Sequence, residues 1–393
     1  MIWFFLGFCV VGVLAVALRA RWVRGRQYAL FVAILLSIES VVALGLWSEM
    51  GALQPVFAAL QGTVFLHFWL LTRPSMRPLA LRLLVSLPAS FFVGGTLLAL
   101  PWAIASAAGF SPWLVWLPYV LAAIGMVDSL WARETSVDLV LDEIEVPQLA
   151  RHPRGKGNGG RALRIVQIAD PHLGPFMSEA RLRRICERAV ERDPDLILLT
   201  GDFMTMESQT DPEVLARALA PLSAARGKTF ACLGNHDHEA PAVVYGACER
   251  AGIELLVDDS RRVQTPAGPV QIVGLDFVWR DRRQHLATVC AEHPRVPGTT
   301  RILLLHDPGA FRHVPDADLV LSGHTHGGQL GLLWFGLPYT FVSLVTKVPD
   351  HGFWALGTSR LYVHRGQSHY GFPLRVGVPA ENSLLNVYVG SAE

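Results

Sequence analysis

The sequence predicts an α/β domain of stacked mixed sheets, preceded by an all-α transmembrane domain. Three observations carry this expectation. From Leu163 onward, short apolar runs alternate with amphipathic stretches and turn clusters, the pattern of strands, helices and hairpins packed in one fold. Five of those runs stop abruptly in polar loops. Residues 165–169 run into Asp170-Pro171-His172, 196–199 into Gly201-Asp202, 229–233 into Gly234-Asn235-His236-Asp237, 302–305 into His306-Asp307, and 319–321 into Gly323-His324-Thr325-His326. The C-terminal ends of strands are where an α/β sheet places its chemistry. The third observation is composition: 51% of the 393 residues are hydrophobic and 17% charged, against about 25% charged in ordinary soluble domains, and the deficit falls in the first third.

The apolar first third divides into five segments, 2–18, 28–47, 56–71, 83–104 and 113–131, near the ~20 residues a bilayer crossing needs. No basic stretch precedes the first, and further apolar segments follow it, so it reads as a retained anchor rather than a cleaved signal. The second-to-last segment is interrupted by Pro88 and Gly94-Gly95, and the last carries tryptophans near both ends, where an interfacial belt sits. Arg19, Arg21, Arg24 and Arg26 lie between the first two segments, and Arg73, Arg77 and Arg82 between the third and fourth. Positive loops stay inside. The expected arrangement is multi-pass in the inner (cytoplasmic) membrane, with the N-terminus outside and the chain emerging inside at Arg133. The expected domains are 1–132 as membrane helices, 133–162 as an edge strand and linker, and 163–393 as the α/β domain. Glu39 within the second segment reads either as a functional intramembrane charge or as a group hydrogen-bonded between helices.

Residues 137–146 alternate apolar and acidic side chains, with a slip near Glu143, and read as one strand at a sheet edge. Residues 151–160 are rich in glycine and arginine, and read as a loop that is either solvated or in touch with anionic lipid headgroups. Ser178 caps an expected helix to Arg192, with Leu182, Ile185, Cys186 and Ala189 on its buried stripe. Further helices are expected over 212–225 and 242–251, and a hairpin over 263–273 around Pro266-Ala267-Gly268. The five cysteines are odd in number and form no CxxC pair, which disfavours a disulfide framework or a thiolate zinc site. A net charge of +1 without a basic, aromatic-studded face gives no sign of nucleic-acid binding.

Asp170-x-His172, Gly201-Asp202, Gly234-Asn235-His236-Asp237, His306 and Gly323-His324-x-His326, in this order, resemble the calcineurin-like metallophosphoesterase family. Gly327-Gly328-Gln329 and Leu361-Tyr362-Val363 with Arg365-Gly366 are similar to its membrane-attached bacterial phosphodiesterase branch. The resemblance covers roughly residue 137 to the C-terminus. It implies a four-layer α/β/β/α sandwich holding two divalent metal ions. Asp170, His172 and His326 would hold one ion, Asn235, His306 and His324 the other, and Asp202 would bridge them. A hydroxide between the ions would attack phosphorus. His236 would contact the phosphoryl oxygens or protonate the leaving group, and Asp237 would orient His236 or a neighbouring loop. His238 and His364 would border the substrate. Carboxylate, imidazole and amide oxygen without thiolate suit Mn²⁺ first, with Zn²⁺, Fe²⁺ or Mg²⁺ as alternatives.

Beyond His326 the stretch 330–342 is apolar and aromatic, with Trp334 and Phe335 at its centre. It reads either as a packed connection or as a flap that dips into the lipid bilayer. The second reading makes Trp334, Phe335 and His238 substrate contacts, and the substrate a lipid-linked phosphodiester or pyrophosphate. The competing expectations are a phosphatase acting on a soluble substrate, and a non-catalytic metal-binding sensor or scaffold on a membrane anchor. The His236-Asp237 pair speaks against the last, because a pure binder needs no proton donor.

Overall fold

A computed structural model of the protein describes residues 2–157 and 160–390. The chain forms two compact units, Met1–Asp128 with Gly371–Val376, and Ser129–Tyr370 with Gly377–Glu393.

The first unit is helical. Among the described residues, three helical stretches are long and apolar enough to cross a membrane: Ile2–Arg24, Arg26–Leu71 and Leu79–Leu98. Gly25 divides the first from the second at φ 95°, a backbone that side chains beyond glycine resist. The second stretch is broken at Gly51 (φ 48°, ψ −121°) into Arg26–Leu46 and Gln54–Leu71. Apolar residues cover all sides of these helices. Leu36, Phe57, Val64 and Phe92 meet inside, while Leu18, Phe31, Ile34 and Val41 face outward, as in a membrane span. Buried Glu39 accepts a hydrogen bond from Gln61 Nε2 at 2.8 Å, joining two helices. The segment expected over 113–131 is helical only over Leu117–Ser129, thirteen residues. That is about 20 Å at 1.5 Å per residue, short of the ~30 Å hydrocarbon core. Pro112 and Pro118 lack backbone donors, which delays the helix start. The segment expected over 83–104 is likewise divided at Ala99.

Among its described residues the second unit carries thirteen strands: β1 (Arg133–Leu141), β2 (Val146–Arg151), β3 (Leu163–Ile168), β4 (Leu196–Leu199), β5 (Thr229–Ala231), β6 (Glu254–Leu255), β7 (Asp259–Thr265), β8 (Gly268–Leu275), β9 (Thr300–Leu305), β10 (Leu319–Ser322), β11 (Gly352–Gly357), β12 (Ser359–Val363) and β13 (Glu381–Val389). One sheet runs β1-β13-β3-β4-β5-β6 and the other β2-β11-β12-β10-β9-β8-β7. The strand period of two sorts the side chains into layers. Ile165, Leu196 and Leu198 meet Ile302, Leu304, Leu319 and Leu321 between the sheets. Val166, Ile197 and Leu199 face helices Glu179–Glu191, Pro212–Leu219 and Pro241–Ala251. Leu303, Leu305 and Val320 face helix Arg282–Glu292 and the turn Pro308–His313. The result is a four-layer α/β/β/α sandwich.

Ser178 caps its helix by accepting from Arg181 N–H at 3.3 Å, and Leu182, Ile185, Cys186 and Ala189 are its buried stripe. The helix expected over 212–225 tightens after Leu219 into the turn Ala220–Ala225, which contains Pro221. The single strand expected over 137–146 is two strands. β1 edges the first sheet beside β13, β2 edges the second beside β11, and the slip at Glu143 marks the crossing. Buried Arg360 holds that crossing by binding the Asp142 carboxylate and donating to Ile144 O at 2.7 Å.

β3, β4 and β5 run parallel in one sheet, as do β9 and β10 in the other. Their polar C-terminal ends therefore gather on common edges. Just beneath, buried Gln167 donates to Ser322 O at 3.0 Å and links the two sheets.

Candidate metal centre

The loops leaving these strands turn at once. Asp170, His172, Asp202, His324 and His326 all have left-handed backbones, with φ between 45° and 69°. Such angles are uncommon outside glycine, although Asn, Asp and His tolerate them best, and they cluster at functional sites. Two glycines permit the close packing. A Cβ on Gly201 would strike the backbone of Gly234, and one on Gly234 would strike the Asp202 carboxylate.

The turns bring the sequence-selected donors together. Asp170, His172 and His326 form one group and Asp202, His306 and His324 another, with the donor atoms in each within 4.8 Å of one another. His172 Nε2 lies 3.1 Å from His326 Nε2, with the rings stacked. His306 Nε2 lies 3.1 Å from His324 Nδ1 and 3.2 Å from Asn235 Oδ1. Asp202 Oδ2 stands between the groups, 3.5 Å from His172 Nε2 and 3.3 Å from His306 Nε2. Asp170 Oδ1 accepts from His324 N–H at 2.8 Å, and His306 Nδ1 meets Thr200 O at 2.7 Å, contacts that orient the donors from behind.

The charges agree with a cation site. Burial alone would raise the Asp202 carboxyl, but His306, His172 and His236 outweigh it and hold it well below the ordinary range. Burial disfavours a charged His306, yet Asp202 and Asp170 push it up to about 10. Burial brings both His172 and His324 down to about 4, so they are neutral and carry lone pairs. The donor set of carboxylates, imidazoles and one amide oxygen fits divalent metal ions, whose binding would release the His306 proton.

Asn235, His236 and Asp237 share the loop after β5. The His236 N–H donates to Asp202 Oδ1 at 2.9 Å. The Asp237 carboxylate takes three backbone N–H groups at 2.8 Å, from Asp202, Phe203 and Gly234. These bonds strap the loop after β4 to the loop after β5. His236 is oriented instead by Glu239, with Nδ1 2.9 Å from Oε1. Burial opposes charge on His236, but Glu239 and Asp202 raise its pKa above the ordinary value.

His238 Nε2 pairs with Asp276 Oδ1 at 2.9 Å. Trp334 is half-buried in the turn Leu333–Phe335, whereas Phe335 is 74% exposed. His364 is buried and accepts from Gly366 N–H at 2.8 Å. Tyr370 was not legible in the sequence. Its ring sits 5.2 Å from His236 and 5.7 Å from His172, held by Gln329 Oε1 accepting from Tyr370 N–H at 2.6 Å. Glu239 has a local signal, an acid three residues after His236. Tyr370 has none, because its tether is 41 residues away.

Two facing sheets whose strand ends gather carboxylates, imidazoles and an amide define a metallophosphoesterase. The chain belongs to the calcineurin-like phosphoesterase family, whose profile matches residues 163–328. It is 31% identical over 232 residues to phosphodiesterase YaeI of Escherichia coli, covering 57% of this chain and 82% of that one. It is 29% identical over 293 residues to the transmembrane protein with metallophosphoesterase domain of Danio rerio, covering 70% of this chain and 61% of that one. It is 27% identical over 220 residues to UDP-2,3-diacylglucosamine pyrophosphatase LpxG of Chlamydia trachomatis, covering 44% of this chain and 66% of that one. The long apolar helices and the transmembrane relative together point to a membrane protein.

Proposed function

We propose that this chain is a membrane-bound phosphoesterase that hydrolyses a phosphodiester or pyrophosphate, lipid-linked, at two divalent metal ions. One observation carries the reading: the single carboxylate of Asp202 faces both donor groups, at 3.5 Å from His172 Nε2 and 3.3 Å from His306 Nε2. In this reading Asp170, His172 and His326 hold one ion, Asn235, His306 and His324 the other, and Asp202 both. Mn²⁺ is the first candidate on donor chemistry. Such ions, when bound, would supply Lewis-acid polarisation of phosphoryl oxygens and would lower the pKa of a bound water.

The chain supplies the rest. Glu239 occupies His236 Nδ1, which leaves Nε2 to steady a phosphoryl oxygen or to pass a proton to the leaving group. Asp237 keeps the two donor loops in register through its three N–H bonds. The Tyr370 ring walls the His172–His236 side.

A lipid-linked substrate accords with the exposed apolar side chains Leu332, Phe335, Leu337, Phe341 and Leu344 shortly after His326, and with the printed name of the LpxG relative. Trp334, Phe335 and His238 are the substrate contacts of this reading. It divides the chain into membrane helices over 1–132, a linker over 133–162 and a catalytic domain over 163–393. It sets them in the inner membrane with the N-terminus outside and the catalytic domain in the cytoplasm.

The test is full-length protein in detergent, assayed for bound metal and for hydrolysis of a nucleotide-sugar lipid, a phospholipid and an aryl phosphodiester. Asp202→Asn is expected to lose metal and at least about 100-fold in turnover. Full metal occupancy in the wild type with no turnover of any substrate would favour the scaffold reading.

A further inference from the structure

A cavity of about 360 Å³ opens in the sandwich unit between β2, β11 and the turn Leu333–Phe335. None of the candidate metal ligands lines it. One wall is basic. A Cβ on Gly352 (φ 79°) would lie 3.0 Å from Arg154 Nη2 and 3.6 Å from Arg151 Nη1, so both guanidinium groups crowd one point. Arg151 is fixed there. It donates to Asp350 Oδ1 at 2.8 Å and to His351 O at 2.9 Å, and lies over the Trp354 ring. Arg154 is exposed and has no hydrogen bond or ion pair among the described residues. Asp350 offsets the charge of Arg151, which leaves the Arg154 guanidinium facing this point, and guanidinium forks suit phosphate oxygens.

The other wall is apolar, made by Leu333, Leu337 and Phe353. Beyond that wall the chain continues into the outward-facing Phe341, Leu344 and Val345. A free phosphate would use only the basic wall. An amphiphile uses both, its charged head on the arginines and its chains along the apolar turn.

We propose that this cavity binds the phosphate of an anionic phospholipid headgroup, with the acyl chains lying along the exposed turn. The site shares this exposed turn with the substrate path of the proposed function, but its headgroup contact lies outside the metal ligands and does not require hydrolysis. It also backs onto the metal loop. Asp350, which holds Arg151, accepts from Thr340 Oγ1, and its carbonyl accepts from Thr325 Oγ1 at 2.6 Å. Thr325 lies between His324 and His326.

The experiment uses full-length, metal-loaded protein in neutral detergent, with thermal unfolding followed by tryptophan fluorescence. The probes are dioctanoyl phosphatidylglycerol, dioctanoyl phosphatidylcholine and inorganic phosphate, each titrated into the wild type and Arg154→Gln. Because Arg154 is exposed and lies outside the metal centre, the difference between the two proteins isolates the cavity. Phosphatidylglycerol is expected to raise the Tm saturably. In R154Q the half-saturating concentration should rise roughly tenfold, the loss of a charge-assisted hydrogen bond. The proposal is overturned by no saturable shift with phosphatidylglycerol, by an equal half-saturation in R154Q, or by an equal response to phosphatidylcholine. Saturation by inorganic phosphate at the same concentration would also overturn it, in favour of a soluble anion.

Discussion

His236 Nδ1 lies 2.9 Å from Glu239 Oε1, three residues along the same loop. Glu239 is itself held, accepting from Gln209 Nε2 at 3.0 Å. The pair fixes the ring and favours a proton on it. Glu239→Gln should lower kcat about 10-fold, with KM little changed, for substrates with poor leaving groups. The loss should shrink for an aryl ester whose leaving group needs no proton. Steady-state kinetics on the two substrate types decides this, and equal losses on both would remove the proton-donor role.

Asp237 fastens two loops through three backbone N–H bonds. Replacement by Asn puts an amide donor against N–H groups that now find an acceptor. D237N should cost about 3 kcal/mol of stability and weaken metal retention. Thermal unfolding together with metal analysis of the purified variant checks both effects.

Lipid access is tested on the exposed turn. Phe335→Asp and Leu344→Asp should each reduce kcat/KM for a bilayer-dispersed substrate by about 10-fold, the worth of burying one large apolar side chain. Hydrolysis of a soluble aryl phosphodiester should be unchanged. Equal rates on the dispersed substrate would return this stretch to an ordinary surface connection.

Buried Glu381 pairs with Arg365 at 2.7 Å and with Tyr362 Oη at 3.2 Å. Burial raises its pKa, but Arg365 and His364 outweigh burial and bring it down to about 2. A depressed carboxyl stabilises the fold fully above its unfolded value of about 4.3, and that contribution disappears as pH falls toward 2. Glu381→Gln leaves Arg365 without its counter-ion and should cost roughly 3–5 kcal/mol at neutral pH. The gap between wild type and E381Q should close between pH 4.5 and 2. A gap independent of pH in unfolding titrations would reject the assignment.

The parts of the site that could be read in the sequence are local. Asp170, Asp202, Asn235, His306 and His324 each follow directly on an apolar strand, and the order of five such junctions is visible along the chain. The partners that support them come from far away. Gln329 holds Tyr370 across 41 residues, and Arg151 reaches Asp350 across 199. No spacing rule encodes such contacts. The sheets follow the same division. β4 is continuously apolar, and β3 is apolar except for Arg164 and Gln167, because both faces of each are covered, so they stand out. β2 is an edge strand with mostly exposed side chains, and its partner β11 lies about 200 residues on. It therefore merged with β1 in the reading of 137–146. The thirteen-residue helix Leu117–Ser129 fell short of expectation because hydropathy registers apolar content, whereas proline decides where the helix can begin.

The left-handed turns at Asp170, His172, Asp202, His324 and His326 have a bearing on how this centre can be re-engineered. At each position an amino acid must satisfy two tests at once, donating to a cation and tolerating a twist that most side chains resist. Exchanging Asp for Glu preserves charge but lengthens the arm and forfeits the conformational tolerance. Altering metal preference in this scaffold would therefore begin with the surrounding contacts, Thr200 O and the Asp237 carboxylate, leaving the donors themselves in place.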